Sequence, residues 1–222
     1  MITVHHLENS RSQRVLWLLE ELRLPYEDTR YERNNSDSLA PPDLLEVHPL
    51  GKSPVVTDGK TTVAETGAIV EYLVEQAGDA LRPAAGTPER QRYTYWLHFA
   101  EGSAMPPLVM ALVFNKIKKA PMPFFARPIA KAIADKVLDN FVKPDLKRQL
   151  AFMEQELAAR PWFTGRAFTA ADVMMSFPIE AAASRGAMRK QFPNLNAFLE
   201  RIHERPAYMR ALERGGPYSL LG

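Results

Sequence analysis

Apolar and polar positions change period several times along the first eighty residues, and each change marks an element. Ile2 and Val4 alternate with polar neighbours, the two-residue period of a strand. After a polar loop from His6 to Ser12, Val15, Leu18, Leu19 and Leu22 recur at helical spacing, with Glu20, Glu21 and Arg23 on the other side. This predicts an amphipathic helix over Ser12 to Leu24, stopped by Pro25. Tyr26 to Tyr31 reads as a weakly patterned strand. Residues 33–47 read as a polar connection with one helical turn near Pro42 to Glu46. Val55-Val56-Thr57 and Thr61-Thr62-Val63 flank Asp58-Gly59, a hairpin signal, and Pro54 opens the first of these strands, where its missing N–H does least harm. A helix then starts at Thr66, with Ala68, Ile69, Tyr72 and Leu73 on one face and Glu71 and Glu75 elsewhere.

This order, β-α-β followed by β-β-α, is that of a thioredoxin-like α/β domain, with a right-handed crossover expected in its βαβ part. The Pro-rich stretch Arg82 to Pro88 reads as a linker, and everything after it as helical. Tyr93, Trp96, Leu97 and Ala100 share a face of a helix over Glu89 to Ala104. Pro106-Pro107 is expected to end or kink that helix before the apolar pattern resumes over Leu108 to Ile117. Ile129 to Leu157 predicts one or two long helices. Thr169 followed by Asp172 forms a capping box with Asp in place of the usual Glu or Gln, and Phe168 stands before it as a hydrophobic staple. The division expected is residues 1–81 for the α/β domain, 82–86 for the linker and 87–222 for an all-α helical-bundle domain.

Composition narrows the function classes. The chain has 222 residues, 46% apolar and 24% charged, as expected of a globular protein. A net charge of +2 gives little support for nucleic-acid binding. The absence of Cys excludes disulfides, a protein thiolate nucleophile and Cys-ligated zinc. His5, His6, His48, His98 and His203 form no metal-ligand spacing, and no phosphate-loop or nucleophile-elbow motif occurs, so no metal is expected. MITVHHLENSR lacks the features of a signal peptide. The longest apolar run, Ala104 to Phe114, is too short for a membrane span, so a cytoplasmic location is expected.

The chemistry concentrates in two stretches. In VAETGAIVEYL, the N-terminus of the helix can receive a carboxylate, and Glu65 beside it can accept from an ammonium. Together they suit the α-amino-acid end of a ligand, although Thr66 as a simple cap also fits. In HPLGKSPVV, a cis Ser53-Pro54 bond would leave the Ser53 backbone free to pair with an extended peptide. These two motifs together resemble the glutathione-binding half of the cytosolic glutathione transferases. The capping box and the closing segments around Phe192-Pro193 and Arg205-Pro206 extend the likeness over nearly the whole chain.

The resemblance implies glutathione as co-substrate. Ser53 would pair with its cysteine residue, Glu65 and Thr66 would hold the γ-glutamyl end, and Lys52 would meet the glycine carboxylate. The family's usual His in the connection is replaced by Leu39, and Arg33 or Arg11 are candidates to substitute. The thiolate is the nucleophile in this chemistry and needs a stabilising donor. The resemblance places that donor after the first strand. Ser10 is the first candidate, Ser12 the alternative and Asn9 a contributor through its amide; either serine also fits as a plain helix cap. SRSQRVLWLLEEL resembles the Ser-Arg branch of these enzymes in bacteria and fungi. Met105, Leu108 and Phe114, with Met110 and Leu112, are candidates for the second-substrate pocket, although core packing also explains them. The implied activity is conjugation of glutathione to small, mostly apolar electrophiles by a homodimer, with no nucleic-acid partner and no membrane span. A glutathione-dependent peroxidase or disulfide reductase, or a non-catalytic binding relative, are the alternatives.

Overall fold

A computed structural model of the chain describes residues 1–34, 40–188 and 191–221. The N-terminal part contains β1 (Ile2–Leu7), α1 (Ser12–Leu22), β2 (Tyr26–Tyr31), the short α2 (Asp43–Val47), β3 (Val55–Asp58), β4 (Thr61–Ala64) and α3 (Thr66–Gln76). The four strands lie in the order β2-β1-β3-β4. β1 pairs parallel with β2 and antiparallel with β3, and β3 pairs antiparallel with β4, so this is the thioredoxin-like arrangement. Gly59, at φ +59°, turns the hairpin, where Asp58 faces Thr61.

Two helix faces differ from the periodicity reading. On α3 the buried stripe is Ile69, Val70, Leu73 and Val74. Ala68 is exposed, and Tyr72 instead sends its hydroxyl to Asp58 at 3.0 Å. On α1 every residue from Ser12 to Leu19 is buried, including Gln13 and Arg14. The helix is covered on several sides, by α3, by α8 (Ala170–Ser184) and most extensively by α10 (Pro206–Gly215). Its polar residues find partners there: Gln13 Nε2 donates to the Ala211 carbonyl at 2.8 Å, and an Arg14 terminal amino group donates to the Met174 carbonyl at 2.6 Å, although the buried Arg14 Nε has no partner among the described residues.

The C-terminal part is helical: α4 (Pro88–Phe99), α5 (Met105–Lys119), α6 (Arg127–Val137), α7 (Lys143–Ala159), α8, α9 (Pro193–His203) and α10. Thr87 caps α4 by accepting from the Arg90 N–H at 3.2 Å, and Pro88 sits in its first turn. Pro106-Pro107 does not break the chain of helices. A π turn over Ala100–Ala104 joins α4 to α5, and the prolines fall in the first turn of α5. The wider turn relieves the clash that a proline ring makes with the preceding turn. The resulting continuous helix, Pro88–Lys119, has 32 residues and is long and apolar enough, by length and composition alone, to cross a membrane, a test that core helices of globular proteins also pass. Here it packs along α8, α6 and α7. A second π turn, Leu138–Val142, joins α6 to α7. The capping box forms as the motif predicts, with Asp172 accepting from the Thr169 N–H at 2.8 Å.

Candidate functional site

The sharp turn before β3 and the start of α3 face one cleft. Ser53-Pro54 is a cis peptide bond. The Ser53 hydroxyl donates to the His5 carbonyl at 2.9 Å and accepts from the Leu7 N–H at 3.3 Å, which fastens the turn to β1. Among the described residues none bonds to the Ser53 main-chain N–H or C=O. Glu65 occupies the N-cap position of α3 at φ 70° and ψ 123°, a conformation that non-glycine residues rarely adopt. Such backbone strain clusters at ligand sites and costs on the order of 1–3 kcal/mol. Thr66 is buried inside the first turn, and no side chain caps the helix. Thr66 therefore does not act as a simple cap, and the positive end of α3 is left uncapped.

These groups line a cleft of about 230 Å³ together with Lys52, Arg11 and Glu101. The four residues that the sequence assigned to ligand binding, Lys52, Ser53, Glu65 and Thr66, thus meet in one place. The cleft offers an open helix N-terminus, a free peptide edge, two carboxylates and two cationic side chains. It suits a small peptide-like molecule with carboxylates and an ammonium.

Comparison with known proteins agrees. Residues 1–75 match the family model for the glutathione S-transferase N-terminal domain, and residues 109–206 match that for the C-terminal domain. The chain belongs to the glutathione S-transferase family. Glutathione S-transferase 3 of Schizosaccharomyces pombe is 36% identical over 215 residues, covering 96% of this chain and 88% of its own. Glutathione S-transferase 1 of Saccharomyces cerevisiae is 31% identical over 223 residues, covering 96% and 95%. A glutathione S-transferase structure from Actinobacillus pleuropneumoniae superposes with a TM-score of 0.80 at 31% identity, covering 100% of this chain and 96% of that one. A sphingomonad glutathione S-transferase solved in complex with glutathione gives a TM-score of 0.74 at 26% identity, covering 96% and 98%.

Within this transferase fold, the loop from Asn9 to Ser12 is arranged differently from the sequence expectation. Ser10 and Ser12 are buried, and neither lines the cleft. Ser10 Oγ lies 2.7 Å from Ser12 Oγ and accepts from the Ser12 N–H at 3.2 Å. Ser12 Oγ reaches His6 Nδ1 at 2.8 Å and the Leu7 carbonyl at 3.2 Å, and His6 Nε2 reaches the Gly215 carbonyl at 3.0 Å. Asn9, at φ 49°, uses its side-chain oxygen to accept from the Ser219 N–H at 2.7 Å. The loop residues chosen for catalysis are thus tied into the protein, and the Ser219 contact draws the C-terminal segment against them.

Sequence reasoning missed Glu101. It sits on the π turn between α4 and α5 and accepts from Arg11 Nε through both oxygens at 3.1 Å. The same carboxylate pairs with the buried Arg14. Burial works against its ionisation, but Arg14 and Arg11 outweigh this and hold the carboxyl below its ordinary value. A lone Glu in an irregular turn leaves no periodic signal to read.

Met105 and Leu108 belong to the main hydrophobic core, at 4% and 2% exposure, and line neither this cleft nor the neighbouring one of about 560 Å³. Phe114 is half-buried farther along α5. Arg33 lies beside the loop, its N–H donating to Glu8 at 3.1 Å, while Leu39 lies outside the described residues. Among the described residues no group of His, Asp or Glu could hold a metal ion.

Proposed function

We propose that this chain binds glutathione in the cleft below α3 and conjugates it, through its thiolate sulfur, to small, mostly apolar electrophiles. The observation that carries the reading is the convergence of Lys52, Ser53, Glu65 and Thr66 on one cleft, with the end of α3 uncapped. Glu65 takes the γ-glutamyl ammonium, and the first N–H groups of α3, with Thr66, take the α-carboxylate. The Ser53 main chain pairs with the cysteine residue, and Lys52 meets the glycine carboxylate. That register directs the sulfur toward the loop of Asn9, Ser10 and Ser12 at the start of α1. The electrophile enters between this loop and α5, with Phe114 on the open side and Met105 and Leu108 backing the wall from the core. We keep the division into residues 1–81, 82–86 and 87–222 and propose that the chain works as a homodimer.

Calorimetric titration with glutathione, followed by a conjugation assay with an aromatic halide, tests the reading. Glu65→Ala removes the ammonium's partner, and one charge-assisted bond contributes about 1.5–3 kcal/mol. Affinity should fall by roughly ten- to a hundredfold, since about 1.4 kcal/mol is a factor of ten. A wild-type protein that gives no heat and gains no thermal stability in excess glutathione ends the proposal, because a ligand bound to the native state must stabilise it.

A further inference from the structure

The hydrogen-bond chain behind the β1–α1 loop has only one consistent direction. The Gly215 carbonyl can only accept, so His6 carries its proton on Nε2. Burial lowers the His6 pKa, so the neutral ring presents a lone pair at Nδ1, and Ser12 has two acceptors in reach, that nitrogen and the Leu7 carbonyl at 3.2 Å. With the single Ser12 proton committed to one of these two acceptors, the 2.7 Å contact between the two serines is donated by Ser10. The Ser10 proton therefore points into the protein, away from the cleft.

Arg11, the next residue, does line the cleft. Its Nε is fixed by both oxygens of Glu101, and its guanidinium carbon stands 5.3 Å from the centre of the Phe177 ring. Among the described residues none accepts from its terminal amino groups, which leaves them for a ligand. Glu101 is shared with Arg14, so one carboxylate faces two guanidiniums and the cluster keeps a positive charge at the edge of the cleft.

We propose that the Arg11 guanidinium, rather than the Ser10 hydroxyl, holds the sulfur of bound glutathione as the thiolate, with Glu101 as the residue that positions it. This rests on the glutathione reading above. A cation beside the sulfur favours its charged form. The thiol proton leaves to solvent. The thiolate electron pair then forms the carbon–sulfur bond as the leaving group departs with its own pair.

The test is the thiolate absorbance of the glutathione complex as pH is raised, for wild type, Arg11→Gln, Arg11→Lys and Ser10→Ala. Arg11→Gln is expected to raise the sulfur pKa by about one to two units. Turnover at neutral pH should then fall about ten- to a hundredfold, with glutathione affinity changed only a few-fold. Arg11→Lys, which keeps a cation in reach, should recover at least half of the shift. The assignment is overturned by an unchanged pKa in the Arg11→Gln complex, by a larger shift in Ser10→Ala, or by a lysine variant no better than the glutamine one. Loss of glutathione binding in Arg11→Gln also overturns it, by making Arg11 an anchor for the ligand. If wild type itself forms no complex, the functional reading fails first, and no thiolate is there to titrate.

Discussion

Asp172 shows how one residue can serve the fold at a pH-dependent cost. One of its oxygens accepts from the Phe163 N–H at 2.9 Å, and the other from the Thr169 N–H and hydroxyl at 2.8 and 3.0 Å. Complete burial nevertheless outweighs these donors and pushes the carboxyl up to about 6 from 3.8. A folded-state pKa above the unfolded one means that the native state binds the proton more tightly. The stability contributed by this group is full below pH 3.8 and is lost as pH rises through about 6. Asp172→Asn does not titrate, but it sets an amide NH2 against one of the two N–H donors, at roughly 1–3 kcal/mol for an unsatisfied buried group. Urea unfolding at pH 4 and pH 7 should find the variant less stable at pH 4 and the gap narrower at pH 7, by up to about 3 kcal/mol at 1.36 kcal/mol per unit. A gap that widens with pH would mean that the charge is stabilised, not penalised, in the cap.

At the scale of elements, the junction of α1 and α10 holds the two halves together. Gly215 closes α10 so tightly against α1 that a Cβ there would lie 2.2 Å from Gln13 Oε1 and 3.1 Å from Leu16 Cδ1. Arg205, Arg210 and Arg214 reach back to Glu21, Glu20 and Asp28 at 2.6–2.7 Å. Replacing a helical Gly by Ala ordinarily stabilises by up to about 1 kcal/mol. Here overpacking should reverse the sign, and Gly215→Ala should cost about 1–3 kcal/mol, read as a lower urea midpoint at unchanged slope. A raised midpoint would show that Gln13 swings aside freely. The same junction explains what the sequence could and could not convey. The hairpin and the capping box were legible because each is written in neighbouring residues: Asp58-Gly59, and Thr169 with Asp172. The burial of Gln13 and Arg14 was not, because it depends on partners such as Ala211 and Met174, far along the chain. In the site, Lys52, Ser53, Glu65 and Thr66 were legible from two local motifs. Glu101 was not, and the inward turn of Ser10 depends on His6 and Gly215, which no spacing rule connects.

For the whole molecule, the question is what covers the outside of the long helical pair. Helices α4 and α5 run as one rod against α6 and α7, and this pair carries many of the large apolar side chains left exposed: Tyr95, Leu112 and Val113 on one rod, Ile129, Ile133 and Phe152 on the other. Tyr95 and Phe152 join Trp96 and Phe99 in an aromatic cluster, with Tyr95 stacked on Phe99 at 5.6 Å and Phe152 on Trp96 at 5.4 Å. Exposed apolar side chains that gather into a patch mark interaction surfaces in globular proteins. A two-fold pairing of identical faces buries such a patch without leaving a free end for further growth. Sedimentation should therefore find a species of twice the 25.1 kDa chain mass. Phe152→Glu places a charge in the aromatic cluster, where burying it unpaired is costly, and should shift the equilibrium toward monomer at micromolar concentration. Lys52, Ser53, Glu65 and Thr66 all come from the same chain, so the monomeric variant should still bind glutathione. A wild-type protein that sediments as a monomer over the same range removes the dimer from the account and leaves the cleft as it stands.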